Sequence, residues 1–400
     1  NRRKMLFQLM DNKKQCLGYC AEGKLFFDDE LPEDLSCTWK YSPALATKRT
    51  RIEYASLYCA GLPMEQACPP HLHQRLETHS AKIKAFLRSF MEGKVSLEEN
   101  CFFDLVPDKF LLNYYDVKNE ITQHVLENYE RPENYQFLVR LSAVLSDIRS
   151  QPLNIDLASI RDHLHNLPAK NFVQKIKQSK PFCDYNIFGT RTGRLTTNKG
   201  TFPILTMDKK FRSVLKPTND WFVELDFNAA EIRTVLSLCG QEQPDGDIHD
   251  WNIRHIYNGA LTRDEAKKKI FAWLYNPNST DTAPNKYYDK TFLDHTYYTD
   301  GAVTTPFGRK LEADPHHAIN YLVQSASSDN TLKQMIRLHL LLQNSKSFVA
   351  FTMHDSVVID LAHEEKELIP LLALTFSETA LGNFEVNLSA GPDFGSMREI

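Results

Sequence analysis

No apolar run in the 400 residues approaches the roughly 18 that a membrane helix needs, so no membrane span is expected. No CxxC pair occurs. The eight Cys are scattered at 16, 20, 37, 59, 68, 101, 183 and 239, which fits a reduced, intracellular chain. Cys59, Cys68, His71 and His73 lie near one another, but their spacing is irregular for zinc. Small buried thiols and loop histidines account for them. There is no internal repeat and no low-complexity tract. Nor is there a strong charge of one sign: the net charge is −4, with 24% charged residues. A nucleic-acid partner would therefore have to be met by a local concentration of Lys and Arg. The N-terminus, Asn1-Arg2-Arg3-Lys4, shows no signal peptide and no initiating Met, as expected of a fragment or a processed product. What is there is ordinary for a globular chain: 42% hydrophobic residues, enough for two or three domains with real cores.

Residues 1 to about 130 are mixed in pattern and punctuated by Pro32, Pro43, Pro63, Pro69-Pro70 and Pro107. Ile83, Phe86, Leu87 and Phe90 give Ser80–Met91 a helical spacing, and Asn119–Tyr129 is also helical. Arg131-Pro132-Glu133-Asn134 caps a new helix with Phe137, Leu138, Leu141, Val144, Leu145 and Ile148 on one core-facing stripe. From Leu153 strands and helices alternate. Phe222–Phe227 is a short buried strand with a helix, Ala229–Leu238, directly after it. Arg263–Tyr275 is a helix stopped by Asn276-Pro277, and the polar stretch 276–300 is expected to be loop. Ile319–Leu342 has long helical periodicity. Val349–Thr352 and Val357–Leu361 flank Met353-His354-Asp355-Ser356 as a hairpin with Asp355 at its tight turn.

Two aspartates about 130 positions apart stand out: Asp226 and Asp355, each where a buried apolar strand runs out. Two carboxylates at neighbouring strand ends suit a two-metal phosphoryl-transfer site, since Mg²⁺ takes carboxylate oxygens and leaves positions for substrate. The backbone carbonyl of Phe227 offers one more oxygen. Cap and turn positions also favour Asp, so each alone has a purely structural reading. Arg263, Lys267, Phe271 and Tyr275 recur every four residues and share one helix face. Two cations suit a triphosphate and two rings suit a base or sugar; a solvated basic helix with core-facing rings is the other reading. Thr190–Thr197 is a cationic, hydroxyl-rich turn that reads as a phosphate or minor-groove contact or as a plain loop. Asn320, Gln324 and Ser327 share a helix face, for base edges or as plain surface.

Taken in order, these motifs resemble family A DNA polymerases, the class of bacterial DNA polymerase I and many phage replicases. Thr192-Gly193-Arg194-Leu195 looks like the family's palm entry motif, and Asp226–Arg233 is similar to its motif A, DYSQIELR. Asp247-Ile248-His249 matches the DIH that follows. Arg263, Lys267, Phe271 and Tyr275 match motif B, RxxxKxxxFxxxYG. Thr305–Arg309 resembles T-x-x-GR, Ala318-Ile319-Asn320 with Gln324 resembles AIN-x3-Q, and His354-Asp355 matches motif C, HDE. Gly391-Pro392-Asp393-Phe394-Gly395 resembles the usual ending. The likeness covers about 134–400.

The resemblance implies an α+β fold: an antiparallel palm sheet backed by helices (about 186–240 and 310–400), helical fingers (about 241–309) and a short thumb (about 140–185). It implies that Asp226, Asp355 and the Phe227 carbonyl bind two Mg²⁺ ions, and that Arg263, Lys267 and His249 hold the triphosphate, with Lys267 as proton donor to pyrophosphate. Phe271 would pack on the incoming nucleotide and Tyr275 beside the templating pair. Glu231 would block the space of a 2′-hydroxyl. Arg194, Asn320, Gln324 and His354 would contact primer–template DNA. The expected partners are primer–template DNA and deoxynucleotides, with a processivity factor as a candidate, and a monomer in the cytoplasm, of the host cell for a phage enzyme. A single-subunit RNA polymerase and a catalytically inactive DNA-binding scaffold are the competing readings.

This sequence departs from the pattern at Ser356, where Glu is usual, and at Asn276, where Gly is usual. Only about 38 residues separate Asp156 from Arg194, and the stretch from Tyr275 to Gly308 is short, so a small thumb, trimmed fingers and low processivity are expected. In residues 1–133, Ala60–Pro63, Lys82–Phe90 and Tyr114–Thr122 faintly resemble the later half of a 3′–5′ exonuclease domain. No DxE motif precedes them, and Lys118 stands where Y-x3-D would place an acidic ligand. A degenerate or truncated exonuclease remnant without proofreading is expected, with an unrelated accessory domain as the alternative.

Overall fold

A computed structural model describes residues 7–13, 16–27, 35–48, 51–97, 99–100, 102–276 and 278–400. Asn1-Arg2-Arg3-Lys4, Pro32, Cys101 and Pro277 lie outside the described residues, as does the side chain of Cys16. The chain divides into two compact units, residues 1–143 and 144–400. Punctuation at Arg131–Asn134 had suggested a boundary at 133/134. The contacts place it instead inside the helix that begins there, Tyr135–Ser150. Its six stripe residues are all buried. A continuous amphipathic helix carries no local sign of such a division.

In the first unit, strands Phe7–Lys13, Cys16–Ala21 and Lys24–Phe27 form an antiparallel sheet. Helices Pro70–Glu92 and Asp108–Asn128 pack together, and Cys20, Phe103, Val106, Leu111 and Tyr115 form a buried cluster. Both helices begin about ten residues before their expected starts. The cause is proline: Pro69-Pro70 and Pro107, which look like breaks in the sequence, open the helices, where a missing N–H costs nothing.

The second unit is built on a five-stranded antiparallel sheet in the order Phe348–Met353, Ser356–Leu361, Trp221–Phe227, Val386–Gly391, Arg398–Glu399. Helix Ala318–Leu341 packs on helices Ala230–Leu238 and Ile369–Ser377 and on the outer strand Phe348–Met353. On the central strand, Val223, Leu225 and Phe227 are buried, and the Phe227 ring stacks 4.2 Å from Phe376. The alternate positions pass from apolar to acidic: Phe222 is buried against Phe351 and Phe394, and then come Glu224 and Asp226, both half-buried. The α+β architecture with an antiparallel sheet backed by helices is as expected.

The loop expected at 276–300 is in large part ordered into elements. A short turn at Ala283–Lys286 leads to helix Lys290–Tyr297, whose start Asp289 caps by accepting from the Phe292 N–H at 2.9 Å. Strands Tyr298–Thr299, Ala302–Thr304 and Lys310–Glu312 follow as a small antiparallel sheet. Pro284, Tyr288 and Leu293 are buried and hold this polar segment, and Tyr288 donates to Asn252 Oδ1 at 2.8 Å. So few apolar residues give no readable periodicity.

Candidate active site

Asp226 lies one residue before the end of the central strand, and a turn through Asn228 and Ala229 leads straight into helix Ala230–Leu238. Ala229 adopts a left-handed φ of +50°. Such a backbone costs about 1 kcal/mol for a non-glycine residue and needs support. Arg233 supplies it. Fully buried, its guanidinium donates to the Asn228 carbonyl at 2.9 Å, the Pro244 carbonyl at 3.0 Å and the Gly246 carbonyl. The hairpin pairs Met353 with Ser356, leaving His354-Asp355 as its two-residue turn, with His354 at φ +54°. Asp226 pairs with Ser356 across the strands, which brings Asp355 beside Asp226. Asp226 feels the charge of Asp355. Burial first, then Glu224 and Asp355, push Asp226 up to about 7, against a hydrogen bond from Asn387 and the charge of Lys209. Burial, then Glu231, push Asp355 up to about 6, against Arg194.

Facing them is the helix Arg263–Tyr275, opened by a capping box of Thr262 and Glu265. Asp247 caps the preceding helix, Ile248–His255, through the backbone N–H of His249 and Asp250. The same carboxylate accepts from Asn228 at 2.8 Å and from Arg263 at 2.6 Å. A chain of polar contacts thus runs from the end of the Asp226 strand to the Arg263 guanidinium. These contacts hold Asp247 well below the usual carboxylate range despite its burial. His249 is buried and pushed down to about 4, chiefly by burial and further by Arg263 and Lys267, so its ring is neutral at pH 7. Its Nδ1 is buried and unpartnered. Phe271 stacks on Tyr275 at 6.0 Å, and the Tyr275 hydroxyl donates to Glu231, which also accepts from Arg194.

One cavity is lined by Asp226, Phe227, Glu231, His249, Arg263, Lys267, Phe271 and Asp355, together with Asn228 and Asn387. A second is lined by Thr190, Arg194, Thr197, His354 and Asp355. Asp355 therefore faces both. Gly193 has φ +79°, and a Cβ there would sit 2.5 Å from the Arg309 guanidinium carbon, so only glycine fits. Arg309 is itself held by Asp329 in a buried two-point ion pair at 2.9 and 2.6 Å. Tyr275 lines neither cavity and reaches the site through Glu231. Asn320 and Gln324 are half-buried on helix Ala318–Leu341 and line neither cavity. The Asn320 Oδ1 is buried without a partner. Ser327 is buried, so it is neither helix surface nor a reader of base edges.

Asn228, Arg233, Asp247 and Asp329 were not singled out as individual residues in the sequence. The first three lie within quoted motifs, which was the available signal; Asp329 lies on a helix that also buries Ser325, Ser328, Asn330 and Gln334, so nothing local marks it as half of an ion pair. Among the described residues no three His, Cys, Asp or Glu side chains converge tightly enough to hold an ion unaided. The donor set nonetheless fits a hard divalent cation shared with a ligand: two carboxylates, both of raised pKa, and a backbone carbonyl beside a cationic wall.

No family model matches the chain. Over 219 residues, 42% of its length, it is 26% identical to a DNA polymerase of Mycobacterium phage D29. That match spans 36% of the relative, so the chain corresponds to about a third of it. Among solved structures it is similar to the POL domain of Pol1 from M. smegmatis in complex with DNA primer-template and dNTP. The TM-score is 0.63 at 12% identity, covering 98% of this chain and 96% of that one. The fold is that of a polymerase POL domain. No helix among the described residues is long and apolar enough to cross a membrane.

Proposed function

We propose that this chain is a template-directed DNA polymerase of the family A kind, adding deoxynucleotides to a primer 3′-hydroxyl in phage or viral replication. The observation that carries this reading is the single cavity in which Asp226, Phe227 and Asp355 face Arg263, Lys267, His249 and Phe271. Asp226 and Asp355, with the Phe227 carbonyl, would hold two Mg²⁺ ions. Bound there, the ions supply Lewis acidity that activates the primer hydroxyl and offsets charge on the pyrophosphate. Arg263 and Lys267 bind the triphosphate, and Asp247 keeps Arg263 aimed until that anion takes its place. Lys267 donates a proton to the leaving pyrophosphate. The Phe271 ring packs against the sugar and base and excludes water. Arg194 and His354, in the adjoining cavity, position the primer terminus next to Asp355.

Glu231 sets the sugar. Its carboxylate is held by Arg194 and Tyr275 in the wall of the nucleotide cavity, where it excludes a 2′-hydroxyl. This favours deoxynucleotides over the ribonucleotides of a single-subunit RNA polymerase. For the first unit we propose an exonuclease-like remnant without proofreading, on the strength of Lys118 in place of a carboxylate. Primer extension with Mg²⁺ and four deoxynucleotides tests the reading. Asp226→Asn should lower extension by about 10³-fold or more while DNA binding persists. Undiminished extension in that variant overturns the mechanism, and equal use of ribonucleotides overturns the role of Glu231.

A further inference from the structure

Glu224 and Asp226 are two residues apart on one strand, so their side chains leave the same face of the sheet, roughly 7 Å apart along the strand. Glu224 is half-buried. Its partner is not a cation but the Ser356 hydroxyl, which donates to Glu224 Oε1 at 2.8 Å, with the Met353 carbonyl as competing acceptor at 3.0 Å. Ser356 is the strand neighbour of Asp226 and follows Asp355 directly. It is also the position at which the resemblance led us to expect a carboxylate. The neighbouring strand thus brings a carboxylate to the hydroxyl of the residue that lacks one.

Half-burying a carboxylate against like charge without a basic partner is unfavourable in the free protein. It becomes favourable when cations occupy the adjacent edge. The cavity that begins at Asp226 also contains the buried, unpartnered Nδ1 of His249, an independent sign that a ligand completes it. Glu224 does not itself line that cavity. Its influence on that edge is therefore through its charge and not as a lining ligand.

We infer that Glu224, held by Ser356, is a positioning residue for the metal-binding edge and supplies from the neighbouring strand the negative charge absent at position 356. This rests on the polymerase reading. Glu224→Gln should weaken Mn²⁺ binding, measured by electron paramagnetic resonance on the intact chain without substrate, by about 10-fold, and raise the Mg²⁺ concentration for half-maximal extension by a similar factor. Adding Ser356→Glu to Glu224→Gln should bring both back to within about 3-fold of the parent, a rescue that a merely structural role for Glu224 does not give. Mn²⁺ binding and Mg²⁺ dependence of Glu224→Gln within about 2-fold of the parent would overturn the proposal, as would failure of the double variant to recover either. Should Glu224→Gln fail to fold, Ser356→Ala keeps the charge and removes only its donor: about 3-fold weaker Mn²⁺ binding supports the proposal and unchanged binding overturns it. Asp226→Asn in parallel separates the two failures, because full extension by that variant sinks the polymerase reading itself.

Discussion

In the first unit, Lys118 has its ammonium 5.0 Å from the rings of Tyr114 and Tyr115, and burial brings it down to about 8. In the second, burial and Glu224 bring Asp226 up to about 7. The same desolvation acts on both, with opposite sign. Their neighbours differ more. Lys118 lies over two ring faces and feels the opposite charge of Glu65 as well as the like charge of Lys40. Asp226 has Glu224 and Asp355 beside it, opposed by a hydrogen bond from Asn387 and the charge of Lys209, so added positive charge is favourable there. The second unit also holds the contrasting case within itself: Asp329 is more deeply buried than Asp226, yet Arg309 pairs it at two points. Depth of burial does not separate the unpaired carboxylates from the paired one. The sign of their neighbours does.

That contrast can be broken by four measurements. The largest effect belongs to the paired carboxylate. Asp329→Ala leaves the Arg309 guanidinium buried and unmatched, and should cost about 3–5 kcal/mol in denaturant unfolding. Asp226→Asn should not destabilise the fold at all, and equal losses in the two variants would erase the distinction.

Next comes the pH dependence of the metal-free protein. Between the ordinary carboxylate range and about 7, folded Asp226 keeps a proton that the unfolded chain has released. Stability contributed by that group is therefore lost as pH rises through this window. Asp226→Asn should flatten this slope by roughly 1–3 kcal/mol, and Mg²⁺ at pH 8 should recover much of the loss in the parent. A slope unchanged by the substitution would mean that Asp226 titrates normally.

The third effect is on substrate. Asp247→Asn weakens the hold on Arg263, and should raise KM for deoxynucleotides about 10-fold with a smaller change in kcat. A drop in kcat alone would place Asp247 elsewhere in the cycle.

The smallest effect is in the first unit, and its sign is reversed. Above about 8 folded Lys118 loses its proton while the unfolded chain keeps it, so stability there rises with pH toward 10.5. Lys118→Met should remove roughly 1 kcal/mol of that rise, read by hydrogen exchange within residues 7–143. A falling slope would show that the rings do not shield the charge as described.

Much of the second unit was legible because its signals are local. The helix Arg263–Tyr275 has the expected bounds, set by Thr262 and Glu265 at one end and the extended Asn276 at the other. The hairpin around His354-Asp355 follows from two β-rich runs separated by a turn. The segment 276–300 was not legible, because its described buried residues are only Pro284, Tyr288 and Leu293, too few to make a period. Among site residues, Asp226, Asp355, Arg263, Lys267, His249, Phe271 and Glu231 do meet in one cavity. Asn320 and Gln324 lie apart from it, and helical spacing could not say how deep either sits.

By itself the sequence determined elements with a strong local signal, such as the helix Arg263–Tyr275 and the strands of the hairpin around His354-Asp355, because a period of two or of 3.6 is written in neighbours a few positions apart. Which charges those residues meet was decided only by the tertiary structure. Asp247 reaches Arg263 across 16 positions, Arg309 reaches Asp329 across 20, and Ser356 reaches Glu224 across 132. No local pattern encodes such pairs. They exist because tertiary packing sets distant residues side by side, through neighbouring helices for the first pair, a helix against a small sheet for the second and an antiparallel sheet for the third, and in partly buried surroundings such a contact outweighs anything the chain's own periodicity specifies.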